Sequence, residues 1–87
     1  MSNIPTSAEI ESALQTELAI ILDRSAAEIT GETTLDSLGL DSIRLMEVMI
    51  FIEKTYGVNL ADAGLSREDL RSLSALAARV RQARAKD

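Results

Sequence analysis

The sequence predicts an all-α fold: a small four-helix bundle with three longer helices, one short third helix and a long loop between the first two helices. Hydrophobic residues make up 46% of the 87 residues and aromatic residues only 2%, a composition that favours an aliphatic core between helices. Apolar residues recur with helical spacing, and residues 42–56 contain neither Gly nor Pro. The length suits one domain, which we place over residues 1–87.

The first helix is predicted to begin near Ser7 and to end near Leu22 or Asp23. Thr6 and Glu9 have the spacing of a capping box, in which each residue hydrogen-bonds to the backbone of the other. The apolar residues of this segment fall on one stripe of a helix: Ile10, Leu14, Leu18, Ile21 and Leu22.

A long connection, residues 23–41, follows the first helix and is rich in Ser, Thr, Asp and Gly. So long a structureless loop is uncommon in a small domain, and we expect part of it to be anchored in the core. Ser25 and Glu28 have the spacing that caps a short helical turn. The expected core anchors are Ile29, Leu35 and Leu38.

The second helix is predicted from Ser42 to Tyr56, with Asp41 as its N-cap and Gly57 just after its end. Its apolar residues are too many for a domain of this size to bury, so we expect two faces. The predicted core face consists of Leu45, Val48, Met49, Ile52 and Tyr56. The predicted partly exposed face consists of Ile43, Met46 and Ile50.

Two more helices are predicted after Gly57. Val58 and Leu60 are expected to anchor a loop, and the capping spacing of Ser66 and Asp69 predicts a short third helix there. Ser72 is the expected cap of the last helix. The inward stripe of the last helix is predicted to be Leu73, Leu76, Ala77 and Val80.

Composition excludes several classes of function. The chain has no Cys and no His, so metal sites and catalytic triads that use these side chains are not expected. No apolar run approaches the roughly 20 residues of a membrane span. Residues 1–41 carry a formal charge of −7 and residues 42–87 carry +2, and the acidic half would repel nucleic acid. We therefore expect a cytoplasmic protein that binds neither membrane nor nucleic acid.

The segment Leu38-Gly39-Leu40-Asp41-Ser42-Ile43 lies where the long loop meets the second helix. Unpaired backbone N–H groups and the helix dipole favour an anion at such a position. Gly39 allows a tight turn, Asp41 can cap the helix, and the Ser42 hydroxyl is expected to face outward from the first turn. An isolated Asp-Ser pair before a helix would be explained by capping alone.

The wider arrangement resembles the phosphopantetheine attachment motif of acyl and peptidyl carrier proteins, Leu-Gly-x-Asp-Ser followed by an aliphatic residue and an apolar helix of about four turns. The order of the helices, the Tyr56-Gly57-Val58 end of the second helix and the Ser72-Leu73 start of the last also follow the family. The resemblance implies that Ser42 carries covalent 4′-phosphopantetheine from coenzyme A and that Asp41 is the adjacent motif acid. It also implies that Ile43, Met46 and Ile50 contact partner enzymes.

By this resemblance the protein is a non-catalytic carrier that tethers acyl, aminoacyl or aryl intermediates as thioesters and presents them to enzymes of polyketide or nonribosomal peptide type. The implied partners are a phosphopantetheinyl transferase, an acyl- or aminoacyl-loading enzyme and a downstream synthase or transferase. We expect a discrete protein, since Met1 precedes a full first helix. We also expect it to be a monomer. Arg44 and Glu47 are candidate partner contacts, because exposed charges on a contact helix govern partner choice, although a solvated face would also explain them.

Two alternatives remain open at this point. The first is a housekeeping carrier of fatty-acid synthesis. Such carriers usually have an acidic residue two positions after the modified serine, where this chain has Arg44, so this alternative is less favoured than a carrier of polyketide or nonribosomal peptide type. A helical interaction module that is never modified, in which Ser42 only caps a helix, belongs to a different class. A helix-turn-helix DNA-binding protein is weaker still, because the charge opposes it.

Overall fold

The computed structural model describes the backbone of residues 5–64, 66 and 68–86. Side chains are described throughout these ranges with five exceptions: Asp36, Ala61, Ala63, Ala85 and Lys86. The described part of the chain is all-α and contains no strand. Its α-helices are α1 (Ser7–Leu22), α2 (Ser42–Tyr56), α3 (Leu60–Ala63) and α4 (Leu73–Lys86). The described part of the chain also contains three 3₁₀ turns: Ala26–Glu28, Asp36–Leu38 and Glu68–Leu70.

The predicted bounds of α1 are confirmed, and local capping chemistry explains them. The Glu9 backbone N–H donates to Thr6 Oγ1 over 3.1 Å, and the Thr6 N–H donates to Glu9 Oε1 over 3.0 Å. The last helical residue is Leu22, and the C-cap residue, Asp23, has a left-handed backbone conformation with φ 54°. The face towards the core buries Ile10, Leu14 and Leu18 completely, whereas Ile21 and Leu22 are only partly buried.

The long loop after α1 is anchored, as predicted. Ile29, Leu35 and Leu38 are buried, and Ser25 caps the 3₁₀ turn by accepting from the Ala27 N–H over 3.3 Å. A contact that the sequence did not suggest comes from Gln15 on α1, whose side-chain amide donates to the carbonyl oxygens of residues 26 and 29. Gln15 therefore holds the first part of the loop against α1.

The same loop is bound to the start of α4 through backbone hydrogen bonds. The Leu73 N–H donates to the Thr33 carbonyl oxygen over 3.2 Å, and the Ser74 N–H donates to the Gly31 carbonyl oxygen over 2.9 Å. These donors belong to the first turn of a helix, where N–H groups have no partner within the helix itself. Ser72 caps α4 as predicted, because its Oγ accepts from the Ala75 N–H over 3.1 Å.

The prediction for the third helix is wrong in its position. The segment after Ser66 forms only the 3₁₀ turn Glu68–Leu70, while a one-turn α-helix, α3, lies earlier, where a loop was expected. Asn59 caps α3 by accepting from the Asp62 N–H over 3.2 Å. Ser66 and Asp69 do form the predicted capping contacts, but only a 3₁₀ turn lies between Ser66 and Ser72, which caps α4.

The core lies between α1, α2 and α4, and α1 makes its largest helix contact with α4. Val58 and Leu60 are buried as predicted, and so are the four residues of the predicted α4 stripe. On α2, Val48 and Ile52 are fully buried. This packing fixes α2 on the core and leaves its first turn at the surface, next to the end of the long loop.

Candidate functional site

The first turn of α2 is shaped by Gly39 and Asp41, which precede Ser42 in the chain. Gly39 has φ 71°, a backbone conformation that residues with a Cβ rarely adopt. This conformation lets the chain turn from the buried Leu38 towards the surface. The backbone of Asp41 is extended. Its side chain caps the helix, because Oδ1 accepts a hydrogen bond from the Arg44 N–H over 2.8 Å. The predicted role of Asp41 as N-cap is confirmed.

Ser42 is exposed at the first position of α2, as predicted. Among the described residues, its hydroxyl has no hydrogen-bond partner, and the backbone N–H groups of Ser42 and Ile43 have no acceptor. Free N–H groups at a helix N-terminus stabilise negative charge. The hydroxyl is therefore open to another enzyme, and the helix end next to it can accommodate an anion.

Arg44 contacts Asp41 through its side chain as well as its backbone. Arg44 Nη1 lies 3.8 Å from Asp41 Oδ2, and the two side chains are 48% and 58% exposed. At this distance and exposure an ion pair adds about 0–1 kcal/mol to folding stability. The pair orients the Asp41 carboxylate but stabilises the fold little.

Three apolar side chains, which we call the outer stripe, project from α2 into solvent. Ile43 is 70% exposed, Met46 60% and Ile50 47%. They occupy positions i, i+3 and i+7, so they share one side of the helix, next to Ser42. The prediction that α2 has an exposed apolar face is confirmed.

The opposite side of α2 is less deeply buried than predicted at three positions. Val48 and Ile52 are buried, but Leu45, Met49 and Tyr56 are only partly buried. Met49 was expected in the core and instead lines a surface groove. Leu45 lines the same groove, which explains why neither side chain is fully enclosed.

This groove has a volume of about 380 Å³ and lies beside α2, against residues 59 and 60. Its apolar lining comes from Leu45, Met46, Met49, Ile50 and Leu60. Ser42 lies at one end, and Glu53 is three turns further along the helix, about 16 Å away along the axis. The groove was not predicted from the sequence, and the one local signal for its second wall is the capping spacing of Asn59 and Asp62.

Charged side chains on α2 lie mostly outside the outer stripe. Glu47 is exposed and has no ion-pair partner among the described residues, and the same holds for Glu53. Arg44 lies about 200° around the helix axis from Ser42, because residues two apart on a helix leave on opposite sides. Glu47 and Arg44 therefore lie beside the edge of the outer stripe that is farther from Ser42, and the predicted contact residues do not form one cluster with Ser42.

The part of the chain that the structure describes has no feature typical of a metal site or a membrane-spanning helix. No group of three or more acidic side chains within the described ranges is close enough to hold a metal ion. None of the described helices has both the length and the apolar character required to cross a membrane. The start of α2, with its groove and outer stripe, is the candidate site that the geometry supports.

Comparison with known proteins gives two findings. The family described as "Phosphopantetheine attachment site" matches residues 12–80, a range that contains the whole of α2 and the long loop. The chain is also similar to a protein of Streptomyces avermitilis named polyketide-8 synthase acyl carrier protein 2. The two are 34% identical over 67 residues, which cover 76% of this chain and 77% of that protein.

Proposed function

This chain belongs to the phosphopantetheine attachment family, and we propose that Ser42 is the residue that carries the 4′-phosphopantetheine arm. The observation that supports this assignment best is the geometry of Ser42 itself. Its hydroxyl is exposed, lacks a hydrogen-bond partner among the described residues and begins a helix inside the matched range. The proposed role is that of a carrier for thioester-linked intermediates.

The residues present fit the phosphopantetheine group. Its phosphodiester would be held by the Ser42 oxygen, next to the free N–H groups of Ser42 and Ile43 at the positive end of α2. When bound, the arm supplies a thiol on which an intermediate is carried as a thioester. The groove starts at Ser42, so the apolar part of an attached intermediate would have an apolar surface within reach.

The chain itself contributes position and not catalysis in this proposal. The Ser42 oxygen bonds to the phosphorus of coenzyme A that bears the pantetheine, and 3′,5′-ADP leaves. A separate transferase with Mg²⁺ must remove the serine proton, because the chain has no His and no acceptor contacts the Ser42 hydroxyl in the described structure. The protein is the substrate of that reaction.

The proposed partners meet the exposed side of α2. The outer stripe of Ile43, Met46 and Ile50 gives the apolar contact, and Glu47 and Arg44 add charges of opposite sign along the edge away from Ser42. The proposed partners are the transferase, an acyl- or aminoacyl-loading enzyme and a downstream synthase or transferase.

Three further proposals concern the whole chain. Residues 1–87 form one carrier domain with the four-helix bundle of carrier proteins. The protein works as a monomer, and it is cytoplasmic.

The cargo we propose is a polyketide intermediate. The support is the similarity to a polyketide synthase acyl carrier protein, together with Arg44 at a position where carriers of fatty-acid synthesis usually have an acid. Loading by a polyketide acyltransferase, and not by the loading enzyme of fatty-acid synthesis, is the expected result. The reverse result would favour a housekeeping fatty-acid carrier.

The experiment that tests Ser42 is intact mass spectrometry after incubation with coenzyme A, Mg²⁺ and a transferase of broad specificity. We expect the mass of one phosphopantetheine to be added to the wild type and none to Ser42→Ala. Ser12→Ala is the matched control, because Ser12 is also an exposed serine on a long helix, and this variant should be modified fully. Addition to Ser42→Ala, or no addition to the wild type, would contradict the assignment.

A further inference from the structure

Both contacts of the Asp41 side chain are made to one residue, Arg44. Asp41 Oδ1 accepts from the Arg44 N–H over 2.8 Å, and Asp41 Oδ2 lies 3.8 Å from the Arg44 guanidinium. Residues two apart on an α-helix are about 200° apart around the axis, so the Arg44 side chain leaves α2 on the side opposite Ser42. The Asp41 carboxylate is therefore held on the side of the helix away from the serine hydroxyl.

This arrangement matters because the start of α2 must accept a second negative charge if Ser42 carries a phosphodiester. Two anions on consecutive residues, Asp41 and the modified Ser42, would repel each other and compete for the same few N–H groups. The structure divides those donors: Asp41 takes the Arg44 N–H, while the N–H groups of Ser42 and Ile43 have no acceptor among the described residues. The guanidinium offsets the charge of Asp41 as well.

We propose that Arg44 is a positioning residue for the modified state: it holds Asp41 away from Ser42 and offsets its charge, so that a phosphodiester can occupy the free helix N-terminus. The inference rests on the proposed modification of Ser42. Arg44 acts through Asp41 and needs no contact with the arm. In the unmodified protein the pair is half-exposed and contributes little, so the role of Arg44 appears only after modification.

The test compares the melting temperatures of unmodified and fully modified protein, with modification verified by intact mass, for the wild type and Arg44→Met. Met keeps an unbranched side chain and removes the charge. Arg71→Met is the matched control, because Arg71 forms an exposed pair of the same i, i+3 kind with Glu68 over 3.7 Å, in a different segment. We expect Arg44→Met to lower the melting temperature of the modified form by about 2–4 °C more than that of the unmodified form. Arg71→Met should change both forms equally.

Two further measurements identify the cause. The extra loss in Arg44→Met should disappear in about 1 M NaCl, where exposed charges are screened within a few ångströms. It should also disappear in the double variant Asp41→Asn/Arg44→Met, since Asn can still cap the helix but carries no charge. Equal losses in both forms of Arg44→Met would overturn the proposal, as would an extra loss that persists in the double variant. If the wild type gains no mass, the proposed function itself has failed.

Discussion

Arg79 Nε on α4 lies 3.5 Å from Asp69 Oδ2, and only 15% and 20% of the two side chains are exposed. Asp69 also accepts from the N–H and the hydroxyl of Ser66, over 2.9 and 3.0 Å. One carboxylate thus joins the turn Glu68–Leu70 to α4. We predict that Asp69→Asn lowers the free energy of unfolding by about 1–2 kcal/mol, because hydrogen bonds to a charged group contribute more than neutral ones. Urea denaturation measures this.

Glu68→Gln is the control for that change. Glu68 is the residue immediately before Asp69 and pairs with Arg71 over 3.7 Å, but both side chains are well exposed. Its loss should cost less than about 0.5 kcal/mol. If the two variants were equally stable, the contact between Asp69 and Arg79 would add nothing beyond an ordinary surface pair.

The hydrogen bonds of Gln15 to the loop predict a strong effect of a very small change. Gln15→Glu keeps the size of the side chain but replaces the donating amide by a carboxylate, which would face the carbonyl oxygens of Ala26 and Ile29. We expect a loss of about 1–3 kcal/mol in the free energy of unfolding. The same change at the exposed Gln82 of α4 should shift stability by less than about 0.5 kcal/mol. Equal effects at both positions would show that the Gln15 amide does not hold the loop.

Two isoleucines on α2 separate core packing from partner contact. Ile52 is fully buried and Ile50 is 47% exposed, so the same truncation to Ala tests both faces of one helix. Ile52→Ala should cost about 2–5 kcal/mol, and Ile50→Ala clearly less. We expect Ile50→Ala, but not Ile52→Ala in its folded state, to slow modification of Ser42 by the transferase. The opposite ranking would mean that the outer stripe is structural.

Tyr56 provides a pH measurement at a single site, because it is the only Tyr in a chain without Trp. Burial raises the pKa of Tyr56 above its ordinary value of 10.0, and the negative charge of Glu9 raises it further. A pKa that is higher in the folded state stabilises the fold below pH 10.0, and this contribution is lost as the pH rises through the folded pKa. The absorbance of tyrosinate during an alkaline titration measures the pKa directly.

The effect of Glu9 on that titration follows from the order of the two causes. Glu9→Gln removes the smaller, electrostatic contribution and leaves the burial of Tyr56 unchanged. The pKa of Tyr56 should therefore fall only part of the way towards 10.0. A complete return would show that the charge of Glu9, and not burial, dominates the shift.

The long helices could be predicted from sequence because their ends depend on neighbouring residues. Thr6 with Glu9, Asp41 and Ser72 cap their helices through contacts no more than three residues apart, which spacing alone reveals. The exposed face of α2 was predictable for a different reason, since a domain of this size cannot bury every apolar residue of that helix. Together these two kinds of argument placed Ser42 at the start of α2, next to the outer stripe, whereas the role of Ser42 came from the resemblance to carrier proteins.

What the sequence could not provide are the contacts that join distant segments. The bonds of Gln15 to the loop and the pairing of Asp69 with Arg79 depend on how the helices pack, and no periodicity encodes them. The groove depends on the path of residues 59 and 60, where α3 begins, but the short third helix was predicted several residues further along the chain, after Ser66. Capping spacing identified Ser66 correctly but could not distinguish a 3₁₀ turn from an α-helix.

The backbone bonds between the long loop and α4 have a consequence for hydrogen exchange. Amide hydrogens in the first turn of a helix normally exchange quickly with solvent, because nothing in the helix accepts them. The amides of Leu73 and Ser74 instead donate to the carbonyl oxygens of Thr33 and Gly31, so their exchange requires the loop to detach. Slow exchange at these two positions would mark the loop and the start of α4 as one cooperative unit. The loop that leads to Ser42 would then open together with the start of α4.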